Sequence, residues 1–158
     1  MPDVDGRERA RSLSGWADTL AAGHRVMGAS AEHRFVKNRR VLVIDHYVDA
    51  AESLAAVLRF TGREVITAYH AGDAVRLAES FRPHVVTIGL RRLDRQATCR
   101  ALRAHRWAQD IVILALSARG GEDDRRAARE AGFDGFLVKP ANVAALIGFL
   151  DDLTPAPQ

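Results

Sequence analysis

Four side chains could do chemistry together if the fold gathers them: the Asp45 carboxylate, the His46 imidazole, the Ser117 hydroxyl and the Lys139 ammonium. Each follows a short apolar run. Val41-Leu42-Val43-Ile44 precede Asp45 and His46, residues 111–116 precede Ser117, and residues 135–138 precede Lys139. A buried lysine needs an anion close by, and Asp45 is the candidate. The plain alternative is a structural ion pair at the rim of a sheet. A fourth run, Val85-Val86-Thr87-Ile88, brings no such group. Gly89, Leu90, Arg91 and Arg92 follow it. Asp94 is the nearest acid, and its place at the entry to a helix is that of a cap.

Positioning these groups requires regular elements, and the chain has them from Val41 on. Val41–Ile44 is a β-branched run of the kind buried on both faces of a parallel sheet. Asp49 with Glu52 three residues later is a capping-box variant. Leu54, Val57, Leu58 and Phe60 supply the apolar face of the helix that follows, and Gly62 ends it. The unit then repeats. Strands are expected over 64–68, 85–88, 111–116 and 135–138. Helices are expected over 72–81 (stopped by Pro83), 95–106, 122–131 (closed by Gly132) and 142–152, the last with Asn142 as N-cap. Five strands alternating with five helices imply a parallel sheet covered on both faces. In such sheets the working groups gather beyond the carboxyl ends of the strands, which is where the four side chains fall.

The run from Val41 to Val86, with LALSARGGEDDRRAAREAGFDGFLVKP at 114–140, resembles the receiver domain of bacterial two-component response regulators. The resemblance implies a flavodoxin-like, CheY-like five-stranded sheet of order 2-1-3-4-5. It also implies that a histidine kinase phosphorylates an aspartate at the end of the third strand. Two acids after the first strand would hold Mg²⁺ with it, a Ser/Thr and a Lys would bind the phosphoryl oxygens, and an aromatic on the fifth strand would report the change. By position, Asp45 matches the first acid, Ser117 the hydroxyl, Lys139 the lysine and Phe136 the aromatic. His46 stands where the second acid is expected. Counting from Pro83 puts Gly89 at the acceptor position. Counting back from the third helix gives a register two residues away, at Thr87. Neither supplies a carboxylate, so a degenerate phosphorylation pocket (Asp45, His46, Gly89, Ser117, Lys139) is expected, with the Mg²⁺ site lost and no cofactor.

Residues 1–38 stand apart as a leader, 39–153 as the receiver-like domain and 154–158 as a tail. Leu13, Trp16, Ala17, Leu20 and Ala21 share one face of a candidate helix in the leader, which Gly15, Gly23 and Gly28 weaken. Residues 1–40 hold eight Lys/Arg and five Asp/Glu, whereas 41–158 hold fifteen of each. The excess charge therefore sits on the leader, too little and too dispersed for the many phosphate contacts DNA binding needs, and DNA is not an expected partner. Arg91, Arg92 and Arg95 with Arg100, Arg103 and Arg106 form a basic edge, expected to be a solvated helix face. No apolar run approaches the roughly 20 residues of a membrane helix, and Cys99 is the only cysteine, so a reducing, cytoplasmic setting is expected. The functional expectation is a stand-alone pseudo-receiver, not an enzyme, that contacts a histidine kinase or another signalling protein, with a homodimer as a further arrangement. Two alternatives stay open: a working phosphorelay receiver with an unusual acceptor, and a small-molecule module on the same fold. Against the latter, Asp45 and His46 are adjacent rather than Asp-x-His, and no Gly-rich phosphate loop follows the first strand.

Overall fold

The computed structural model describes residues 40–140 and 142–152. In chain order the elements are β1 (Arg40–Ile44), α1 (Val48–Phe60), β2 (Glu64–Ala68), α2 (Ala71–Phe81), β3 (Val85–Ile88), α3 (Arg92–Arg103), β4 (Val112–Ser117), α4 (Glu122–Ala131), β5 (Gly135–Val138) and α5 (Val143–Asp152). A short 3-10 turn, Arg106–Ala108, precedes β4. The strands form one parallel sheet of order β2-β1-β3-β4-β5, as expected. The leader at 1–38, its candidate helix and the tail at 154–158 lie outside the described residues.

Both faces of the sheet are covered, which is why its strands are continuous apolar runs instead of alternating ones. Leu42, Ile44, Val86, Ile88, Ile113 and Ala115 point to the side packed by α2, α3 and α4. Val41, Val43, Val85, Leu114 and Leu116 point to the side packed by α1 and α5. One-residue alternation along each strand thus builds two cores.

Several local expectations are corrected. The first helix starts at Val48 with Tyr47 as its N-cap and no side-chain cap hydrogen bond, so Asp49 and Glu52 form no capping box. Glu52 turns instead to β2, accepting from the Tyr69 hydroxyl and, at 2.8 Å, from Thr67 Oγ1. Nor does the helix pack through Val57 and Phe60: it presents Ala51, Ala55 and Leu58 to the sheet, and Phe60 is 93% exposed. Ala51 and Ala55 let the helix approach the sheet closely, and Val57 and Phe60 face outward. The third helix begins at Arg92, three residues before the expected start, and Asp94 is exposed in its first turn instead of capping it. Asn142 does cap α5, its Oδ1 accepting from the Ala145 N–H at 3.0 Å.

Candidate functional site

Parallel register brings the strand ends level. Ile44 pairs with Ile88 across β1 and β3, Ile88 with Ala115, and Ser117 with Val138. The residue after each strand therefore emerges at one rim. The Gly89 N–H donates to the Ile44 carbonyl at 2.7 Å, which seats Gly89 directly beside Asp45. Of the two registers considered for the end of β3, the one at Gly89 faces the rim. Thr87 lies inside the strand, fully buried, with its Oγ1 lacking a hydrogen-bond partner among the described residues.

At the centre is an ion pair. Lys139 Nζ donates to Asp45 Oδ2 at 2.8 Å and to the Gly89 carbonyl at 3.3 Å. The other carboxylate oxygen, Oδ1, accepts the Tyr47 N–H at 2.9 Å. Asp45 is 3% exposed, so both oxygens need these partners. The pair occupies the space a side chain at residue 89 would enter. A Cβ there would lie 2.5 Å from Asp45 Oδ2 and 3.1 Å from Lys139 Nζ. Any side chain at this position would therefore have to displace the Asp45 carboxylate, and glycine leaves the pair undisturbed.

The other expected residues divide. Ser117 stands at the same rim: its carbonyl accepts the Lys139 N–H at 2.7 Å, and its Oγ accepts the Arg119 N–H at 3.1 Å in the turn after β4. His46 flanks Asp45, with Nδ1 3.9 Å from Oδ1, and its ring tilts on Tyr47 at a 4.1 Å centroid distance. Phe136 is not at the rim. It is buried in the core beneath α3 and α4, with the Arg125 and Arg95 guanidinium carbons 5.3 and 6.0 Å from its ring centre.

Arg95 was missed as a structural residue. Of the expected basic edge, Arg91, Arg92, Arg100 and Arg106 are exposed, whereas Arg95 is only 4% exposed. Its Nη1 reaches the Leu90 and Leu116 carbonyls at 3.5 and 3.4 Å, and its Nε has no hydrogen-bond partner among the described residues. Burial pulls its pKa below the usual arginine value; Arg92 adds to that, and Asp124 opposes it. Arg103 is likewise fixed, donating to Asp134 Oδ2 at 2.6 Å and to the Gly132 and Ile111 carbonyls. Arg91 is exposed, and half-exposed Arg92 sits 3.8 Å from Asp124, a surface pair of little energetic weight. The signal for Arg95 was available: residues 95, 98, 99 and 102 recur at helical spacing, and Cys99 and Leu102 mark that stripe as the inward one.

Comparison with known proteins bears on the same region. The profile of the response regulator receiver domain matches residues 41–151. Transcriptional regulatory protein PrrA of Mycobacterium tuberculosis is 40% identical over 114 residues, covering 71% of this chain and 48% of its own length. The chain spans about half the length of the curated relatives it matches. A response regulator protein from Burkholderia pseudomallei, crystallised with a phosphorylated aspartic acid, calcium ion and citrate, has a TM-score of 0.65 at 27% identity, covering 72% of this chain and 66% of its own. Chemotaxis protein CheY4 of Vibrio cholerae shares the fold, with a TM-score of 0.68 at 23% identity over 74% of this chain and 99% of its own.

Proposed function

This chain belongs to the response regulator receiver family, and we propose that it serves two-component signal transduction as a pseudo-receiver, through protein–protein contact and without accepting a phosphoryl group. The observation that carries this reading is Gly89. Phosphoryl transfer to a receiver needs a carboxylate nucleophile at the end of the third strand, and the residue beside Asp45 and Lys139 has no side chain. The space is taken by the Asp45–Lys139 pair. Asp94 is no substitute, since it sits exposed in the first turn of α3.

Mg²⁺ fits the residues poorly. A hard cation asks for several oxygen ligands. The rim offers one carboxylate, with both oxygens already hydrogen-bonded, beside an imidazole where the family has a second acid. No step is assigned to a metal on this reading. Lys139 holds Asp45 and the Gly89 carbonyl just past β3. Phe136 is held under two guanidinium groups, an arrangement built from the chain's own charges.

In this reading the domain is a binding module, and a histidine kinase or another signalling protein is its partner. PrrA is by name a transcriptional regulatory protein, so the relatives lend no support to the expectation against DNA, and a part in transcriptional control belongs to the proposal. The deciding experiment is incubation with acetyl phosphate and Mg²⁺ followed by intact mass. The expected spectrum is unchanged. Stoichiometric gain of one phosphoryl group, abolished by Asp94→Asn or Asp45→Asn, would establish the rival reading of a working receiver with an unusual acceptor.

A further inference from the structure

The solvent face of α1 carries an apolar seam that no described residue covers. Ala50, Ser53, Val57 and Phe60 recur at steps of three and four and are all exposed, Val57 at 39% and Phe60 at 93%. This is the spacing of a helix–helix contact. The same helix already buries its opposite stripe, Ala51, Ala55 and Leu58, against the sheet, so the seam is surplus to the core. Phe60 and Val57, one helical turn apart, together give this face an exposed apolar pair.

We propose that residues 13–21 of this chain cover that seam, docking as an amphipathic helix along α1. The segment repeats the pattern of the seam, with Leu13, Trp16, Ala17 and Leu20 on one helical face. The chain also enters the domain at the correct end. Phe60 closes α1 four residues before Glu64, and Glu64 pairs directly with Arg40, the first residue of β1. Residues 22–39, eighteen in all, then link the segment to Arg40. A chain of that length has a typical reach of about 23 Å, whereas the seam from Ala50 to Phe60 is only about 15 Å long on a helix. Tethering puts the segment at an effective concentration near the millimolar range, which favours it over a second copy of the chain. Docked there, the leader withdraws the α1 face from other partners.

Trp16 is the reporter. In the full chain with Trp107→Phe, its emission is expected to be blue-shifted and weakly quenched by acrylamide. Phe60→Glu is expected to red-shift it and raise quenching several-fold, while the circular-dichroism melt of the domain holds, because Phe60 is exposed. Leu20→Glu should do the same from the other side. Three results would overturn the proposal: Trp16 emitting as a water-exposed indole in the unmutated leader; a buried Trp16 indifferent to both Phe60→Glu and Val57→Glu; or a blue shift that fades on dilution together with a dimer mass, which would assign the seam to a second copy.

Discussion

Gly89 is bounded by two groups that any replacement must meet. A Cβ at that position lies 2.5 Å from Asp45 Oδ2, so Gly89→Ala must displace a buried carboxylate that is hydrogen-bonded at both oxygens. Such overpacking costs about 1–3 kcal/mol, to be read from urea unfolding. Lys139→Met leaves the Asp45 carboxylate without its cation and is expected to cost about 1–3 kcal/mol. Adding Asp45→Asn removes the stranded charge while keeping an oxygen for the Tyr47 N–H, so the double variant should regain part of that loss. Cys99 gives a third test. It is fully buried on the inward face of α3, and burial pushes its thiol up to about 12. The thiolate is the reactive form, so Ellman's reagent should titrate Cys99 only after unfolding. The convergence of Asp45 with Lys139 was legible in the sequence because strand ends in a parallel sheet must meet. The burial of Arg95 was legible only through its neighbours: its charge argues for solvent, and Cys99 and Leu102 on the same helical stripe are what mark it as inward.

The elements were more legible than their ends. Apolar runs located all the strands to within a residue or so, since a doubly covered parallel sheet leaves a strand nowhere polar to point. Helix starts were harder, because Asp49, Asp94 and Asn142 all resemble caps and only Asn142 is one. That difference is measurable: Asn142→Ala should cost about 1 kcal/mol, whereas Asp49→Ala should cost a few tenths at most. Glu52 went astray for a similar reason. Its capping-box spacing was right, but Thr67 on β2 and Tyr69 just past it claim its carboxylate. The hydrogen bond from Tyr69 and then that from Thr67 hold its pKa below the ordinary glutamate value; burial opposes them, and the charge of Arg59 adds a still smaller lowering. The folded value therefore lies below the unfolded one. Ionised Glu52 favours folding above the ordinary glutamate pKa, and this contribution is lost as pH falls through the folded value. Glu52→Gln should accordingly flatten part of the acid-side decline in stability, measured as urea midpoints across that range.

At the scale of the whole molecule the two rims of the sheet do different work. Where strands begin, arginines tie chain to chain: Arg40 to the Phe81 and Arg82 carbonyls, Arg63 to Asp151, and Arg103 to Asp134. Where strands end, Asp45, Gly89, Ser117 and Lys139 stand together, and only there would a family ligand bind. This separation makes the pseudo-receiver reading testable without any partner. A ligand that binds only the folded state, present at about a hundred times its Kd, adds about 2.7 kcal/mol to stability. For a domain of this size that raises Tm by several degrees. Beryllofluoride with Mg²⁺ imitates an aspartyl phosphate, and it needs the same carboxylate and metal cage that phosphoryl transfer needs. Because the rim closes on itself through Asp45 and Lys139, the melting curve should show no rise beyond that in fluoride and Mg²⁺ alone. A saturable rise of several degrees would mean that another group supplies the missing carboxylate, and the rim would then have to be read as a working phosphorylation site.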